Sequence, residues 1–523
     1  MKNLFNHFKK ENIKNLIAHD PGKFLFFLFL LIACFTYQHY GISWDENTQR
    51  KTGIISYNYI FDDDNSLKEW KDKDYGVAFE LPLIIVERAF NITDTREISL
   101  MRHFLSHLFF LVAALCLYRL IFILTKSKWL STLGFLLLVL HPSIYSHSFF
   151  NSKDLPFLSM FIIVFYFAAK AFADKSIKNI IYLSIFTGLL INMRIMGIMV
   201  PVIVAGFFLI DLITEKTRGK NIFLLFTFLI ASTLVTYISW PYLWEDPINN
   251  FLEAYEKASK FRFESSTWFD GNFVPTVQTP WYYFPVWFFI TTPILFILFL
   301  GFGILVFLFL VVSKFKQFLF NTVYRNYIMY FAVLSGTVTL IIYHESVIYD
   351  SWRQLYFLYV PIVLFIILGI HIITKEKIRK GIYIAFGLTF TFLCFHSIKQ
   401  YPLQYVYFNR YIDHSTHNDL RNHWEMEYWG VSYYWALKYI LDHDNTDQIV
   451  VGFDHPSVGL DAHLFLPEDQ RVRYQFRPDS KDTDYFIVIY RWHPHDFEEL
   501  MPYEFHNFTY GNNNFCTIFK LKE

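Results

Sequence analysis

The chain has 523 residues, 54% of them hydrophobic and 21% aromatic, with 61 Phe, and its 46 Lys and Arg balance its 46 Asp and Glu. That balance gives no support for a nucleic-acid or acidic partner, and four scattered cysteines (Cys34, Cys116, Cys394, Cys516) supply neither a disulfide framework nor CxxC metal spacing. The apolar residues come in runs of about 17 to 25 between short charged loops, which argues against one large soluble core and for a polytopic membrane protein.

The N-terminal stretch carries Lys2, Lys9, Lys10, Lys14 and Lys23, so the positive-inside tendency predicts a cytoplasmic N-terminus. Residues 24–40 form the first apolar span, and Leu31-Ile32-Ala33-Cys34 inside it superficially matches a lipoprotein cleavage box. The run continues past the cysteine and many spans follow, so the segment reads as an uncleaved signal anchor. Asp45 and Glu46 stand just beyond it, at the expected membrane surface. The following polar loop contains a charged, moderately apolar stretch, 77–90, too short to cross a bilayer and expected as an interfacial amphipathic helix.

Further spans are predicted near 103–123, 128–147, 155–173, 179–193, 195–213, 222–240, 286–312, 327–344, 354–373 and 381–398, which makes eleven with the first. Alternating them from a cytoplasmic N-terminus puts every basic connection inside: Arg119/Lys126/Lys128, Lys170/Lys175/Lys178, Lys216/Arg218/Lys220, Lys314/Lys316/Arg325 and Lys375/Lys377/Arg379/Lys380. The outer turns hold few cations at span ends, chiefly Lys153, Arg194 and Arg353. From about Lys399 hydropathy falls. A helix over 432–442, strands over 448–453, 484–490 and 515–521, and a turn at Gly511-Asn512-Asn513-Asn514 predict a small extracytoplasmic α/β domain, 399–523, beside a transmembrane domain, 1–398.

On this topology the unusual polar groups gather at the outer face. They are Asp45 and Glu46; His147, Asn151, Lys153 and Asp154; Asn192 and Arg194; and His344, Glu345, Tyr349, Asp350 and Arg353. Charges at that depth are costly unless paired or wet, so their convergence predicts a lined cavity. A sugar carried on a polyprenyl phosphate suits such a place. A carboxylate can take the proton of an acceptor hydroxyl, and the departing phosphate needs cations, for which Arg353, Arg194 and Lys153 are the candidates. Metal use stays open: Asp45, Glu46 and Asp154 could share an oxygen-bound divalent cation, although adjacent acids are not a specific ligand spacing. His493-Pro494-His495-Asp496 reads as a solvated turn, and the tryptophans at 240, 244, 268, 281 and 287 as an interfacial belt.

Several of these motifs also resemble a known family. Trp44-Asp45-Glu46, the turn from His147 to Asp154, Pro280-Trp281-Tyr282-Tyr283-Phe284-Pro285-Val286-Trp287 with Thr291-Thr292-Pro293, and Tyr349-Asp350-Ser351-Trp352-Arg353 look like membrane glycosyltransferases of the GT-C fold. The resemblance is to the protein O-mannosyltransferase and aminoarabinose-transferase group, in its bacterial branch. Tyr401–Asn409 and Tyr428–Tyr433 extend it into the soluble region. It implies a polyprenyl-phosphate sugar donor, inversion at the anomeric carbon, Asp45 as catalytic base with Glu46 in support, and a basic residue such as Arg353 or Arg194 on the lipid phosphate. The 241–285 segment is too short for the β-trefoil of the eukaryotic mannosyltransferases, so a protein Ser/Thr acceptor is not carried over, and glycan, lipid and protein acceptors all stay open. The alternative is a transporter or flippase of lipid-linked sugars, which predicts charges spread through the bilayer depth and paired broken helices.

Overall fold

The computed structural model describes residues 19–215, 217–259, 265–409, 412, 417–477 and 482–522. The N-terminal lysines up to Lys14, and Lys216, lie outside them. Each of the eleven apolar segments is helical. Helix α1 (Pro21–Thr36) starts at an Asp20 cap and is followed by α2 (Trp44–Phe61), α3 (Glu80–Ala89) and the 31-residue α4 (Thr95–Thr125). Then come α5 (Lys128–Val139), α6 (Pro142–Phe150), α7 (Asp154–Ala173), α8 (Ile177–Met193), α9 (Met199–Thr214) and α10 (Arg218–Ser239). After α11 (Pro247–Ser259) and a small hairpin, β1 (Ser266–Phe269) and β2 (Asn272–Pro275), the chain returns through α12 (Tyr283–Thr291) and α13 (Ile294–Ser313). The short α14 (Phe315–Phe320), α15 (Thr322–Tyr343), α16 (Tyr359–His371) and α17 (Glu376–Lys399) complete the helical part.

Among the described residues nine helices are long and apolar enough to cross a membrane, and the chain is an integral, multi-pass membrane protein. The expectation of eleven straight spans needs correcting at three places. Residues 128–150 bend by 64° between α5 and α6, because Pro142 disfavours helical backbone at His141 and cannot donate into the preceding turn. Helix α8 has only 17 residues, short for a full crossing. The 286–312 segment is broken at Thr292-Pro293, where freed carbonyls would be costly. Asn409 covers them: its backbone N–H donates to the Ile290 carbonyl (2.8 Å) and its side-chain amide to that of Thr292 (2.8 Å).

Helices α7 and α16 are buried on nearly all sides, whereas α10, α13 and α17 turn Ile238, Val312 and Leu388 outward, as lipid-facing helices do. Helix α3 forms where an amphipathic helix was expected, but it does not lie free. Glu87 pairs with Arg50 and the buried Glu80 with Arg102, pinning it against α2 and α4. The belt of tryptophans is also revised: Trp240, Trp268 and Trp287 are core, and Trp281 is exposed.

The C-terminal region has helices α18 (Asp419–His423), α19 (Ser432–His443), α20 (Pro456–Leu464) and α21 (Glu468–Arg471) around one sheet. Its strands are β3 (Ile449–Phe453), β4 (Tyr474–Phe476), β5 (Tyr485–Val488), β6 (Glu504–Tyr510) and β7 (Asn513–Lys520), in the order β4-β3-β5-β7-β6. Strand β3 runs parallel to both neighbours, and β7 antiparallel to both of its own. The β6–β7 turn falls at Gly511-Asn512, with Gly511 at φ 59°, a conformation that glycine adopts without strain.

Candidate active site

The charged groups of the site all come from places where helices start or stop. Asp45 is the second residue of α2, whose N-cap Ser43 is extended (φ −103°, ψ 160°) and whose first turn carries Asp45 and Glu46, the sign that the helix dipole favours there. The cap is anchored from two sides. Ser43 Oγ donates to the Phe150 carbonyl at the end of α6 (3.0 Å), and Trp44 N–H donates to the Trp429 carbonyl of the C-terminal region (3.3 Å). Asp154 begins α7, and its N–H donates to Asn151 Oδ1 (2.9 Å), which caps that helix. Arg194 sits in extended backbone at the end of α8, and Arg353 opens the turn before α16.

These ends meet. Arg353 Nη1 lies 3.2 Å from Asp45 Oδ2 and 3.2 Å from Asp154 Oδ2, and its Nη2 donates to Asp350 Oδ2 at 2.9 Å. Arg194 pairs with the other oxygen of Asp154. The Arg353 guanidinium also lies 4.6 Å from the Trp429 ring centre and 5.2 Å from that of Tyr349. Asp350 and Ser351, just before it, both adopt left-handed backbone (φ 53° and 64°), a strained pair that turns Arg353 inward. The Asp154 side chain is buried, and Asp45, with 29% of its side chain exposed, is the open end of the chain of charges.

Two adjacent acids therefore have separate duties. Glu46 is buried, accepts the Ser43 N–H (2.8 Å) and contacts His103 Nε2 (2.9 Å), so it caps α2 and faces away from Arg353. His147 and Asn151 lie behind the opening: Asn151 donates to Asp154 (2.9 Å), and Trp429 Nε1 donates to His147 Nε2 (3.2 Å). The Lys153 ammonium stands over the Tyr75 ring at 4.1 Å. Asn192 holds the Ala78 N–H and the Ser239 carbonyl, while His344 and Glu345 stay exposed at the end of α15. The three carboxylates considered for a cation do not form a ligand group, since Arg353 stands between Asp45 and Asp154 and Glu46 turns to His103. Among the described residues no cluster of three or more His, Cys, Asp or Glu could hold a metal ion.

The C-terminal region adds charges that sequence reasoning missed. Arg491 Nη2 donates to Asp350 Oδ1 (3.0 Å), and its Nε is 3.8 Å from Glu425 Oε1, so the network runs Asp45, Arg353, Asp350, Arg491 with alternating sign and ends at the Glu425 carboxyl. Burial raises the Glu425 carboxyl, and it pushes that of Glu427 up to about 8, although the N–H groups of Trp429 and Gly430 point at Glu427. Glu427 thus shapes the loop that presents Trp429 to Arg353. The Nε–H groups of Arg194 and Arg353 are buried without an acceptor among the described residues, donors of the kind an incoming anion could satisfy.

Comparison with known proteins bears on this geometry. Residues 85–240 match the family model described as dolichyl-phosphate-mannose-protein mannosyltransferase, a stretch that includes Asp154 and Arg194 but ends before Arg353. A crystal structure of ArnT from Cupriavidus metallidurans bound to undecaprenyl phosphate is similar at 10% identity with a TM-score of 0.45, over 94% of this chain and 97% of that one. No curated protein matches significantly. Of the motifs that carry the resemblance to membrane glycosyltransferases, the turn from His147 to Asp154 falls within the residues that this family model matches, 85–240, and that stretch is similar to the dolichyl-phosphate-mannose-protein mannosyltransferases.

Proposed function

We propose that the protein moves a sugar from a polyprenyl phosphate to an acceptor hydroxyl at the extracytoplasmic face, with residues 1–398 holding the donor and 399–523 exported above them. The observation that carries this reading is the Arg353 guanidinium at the membrane-level ends of four helices, held against Asp45, Asp154 and Asp350 and backed by Arg194. In the reaction the acceptor oxygen bonds to the anomeric carbon while the carbon–oxygen bond to the phosphate breaks. The acceptor proton passes to Asp45, the exposed carboxylate, and the electron pair leaves with the polyprenyl phosphate. The leaving group is already an anion, so cations stabilise it: Arg353 and Arg194 through their unused donors, and Lys153 from the rim. Attack opposite the phosphate in one displacement inverts the anomeric centre.

Deleting the gene tests this reading. It predicts loss of one envelope sugar and accumulation of its polyprenyl-phosphate donor on the outer leaflet. Donor confined to the cytoplasmic leaflet would instead indicate a flippase and overturn the reading.

A further inference from the structure

The side of Asp45 away from Arg194 is built from the C-terminal region, and its composition is distinctive. The Trp44, His455 and Trp492 rings meet at one point, with centroids 5.4 Å apart for Trp44–His455, 5.4 Å for His455–Trp492 and 6.1 Å for Trp44–Trp492. The Arg491 guanidinium lies between the two indoles, 4.9 Å from the Trp44 ring centre and 4.7 Å from that of Trp492, and it is close enough to Asp45 to interact with its charge. Trp492 is 39% exposed although it is a large apolar side chain in a packed region. It is held there at a cost, in left-handed backbone (φ 57°) two residues after Tyr490 in the same state (φ 61°), with its Nε1 donating to the Ser266 carbonyl (3.1 Å). Trp44 Nε1 is buried without a partner among the described residues.

We infer that Trp44, His455 and Trp492, with Arg491 between the indoles, form the acceptor subsite, and that the acceptor is a carbohydrate; this rests on the transferase reading above. A sugar ring offers an apolar C–H face to an indole and equatorial hydroxyls to groups at the indole's edge, and this surface supplies both within reach of Asp45. A peptide hydroxyl would need a groove with backbone partners, and a lipid acceptor an apolar channel from the bilayer. The surface here is instead the exposed Trp492 indole beside the partly buried Trp44 and His455 rings, with the buried Arg491 guanidinium behind them.

The test uses the full-length protein in lipid nanodiscs with a polyprenyl-phosphate sugar donor. The acceptors are oligosaccharides of three to six sugars, Ser/Thr peptides of matched length, or phosphatidylethanolamine. The inference predicts transfer to an oligosaccharide, with Trp492→Ala raising the acceptor KM about tenfold, donor KM unchanged and Trp492→Phe recovering most of the loss. Transfer to peptide or lipid alone, no oligosaccharide accepted, or an acceptor KM unmoved by Trp492→Ala would overturn it. Release of polyprenyl phosphate that depends on Asp45 reports on the transferase reading separately, so failure of one is distinguishable from failure of the other.

Discussion

Two buried ion networks stand at opposite ends of one helical segment, and they are built differently. Arg194 precedes α9 and Asp211 lies near its end, about 25 Å away at 1.5 Å per residue. At the far end Asp211 accepts from Lys175 (2.6 Å) and pairs with Arg325, Lys175 also reaches Glu215 (2.8 Å), and Asn221 donates to Glu215 (2.9 Å). That cluster is closed, with a carboxylate saturated by two cations, Lys175 from the α7–α8 loop and Arg325 from α15, and little left for a ligand. The Arg194 end is open: one guanidinium is shared by three carboxylates, donors are left over, and one carboxylate faces solvent. Burying charge in a membrane is expensive in both places. Where the charges are fully matched they serve the fold, and where matching is incomplete they are available for chemistry.

Substitutions can break this comparison. The largest effect on stability belongs to the closed network. Asp211→Ala leaves Arg325 and Lys175 facing each other, and it is predicted to destabilise the protein by about 3–5 kcal/mol. Thermal unfolding in detergent should show the loss while kcat per folded molecule stays near wild type. A fall in kcat without a fall in Tm would erase the distinction between the two ends.

A smaller effect separates the paired acids. Glu46→Gln keeps an acceptor for Ser43 but weakens the contact with His103, for a predicted loss of about 1 kcal/mol. Steady-state kinetics should show less than a tenfold change in kcat, and a loss as deep as that of an Asp45 variant would move the base to Glu46.

A third effect is on pH dependence. The Glu427 carboxyl rises from 4.5 to about 8 on folding. Between those values the folded state holds a proton that the unfolded state has released, so this group's contribution to stability falls as pH rises through that window and levels off above it. Glu427→Gln should flatten that part of the Tm-against-pH curve, and an unchanged slope would contradict the burial argument.

Much of this was legible in the sequence because charge is conspicuous against apolar runs. Asp45, Lys153, Asp154, Arg194, Asp350 and Arg353 each stand at a hydropathy boundary, and the structure brings their segments together at one level. The split between Asp45 and Glu46 was not legible, since neighbours on a helix point about 100° apart and the side that faces Arg353 is a tertiary matter. Arg491 and Glu425 were missed for the opposite reason: they lie in polar sequence, where a charge is ordinary, and reach the centre only through the fold of the C-terminal region. The bend before Pro142 was legible in principle from the His141-Pro142 dipeptide. Asn409, by contrast, covers the α12–α13 break from more than a hundred residues away, a long-range contact that no local pattern announces.

The direct measurement is donor turnover by Asp45→Asn in purified, reconstituted protein with a radiolabelled polyprenyl-phosphate sugar. Arg353, Arg194 and Lys153 remain in that variant, so donor should bind within a few-fold of wild type while release of polyprenyl phosphate falls about a thousandfold. Release at the wild-type rate would remove Asp45 from the reaction and contradict the account.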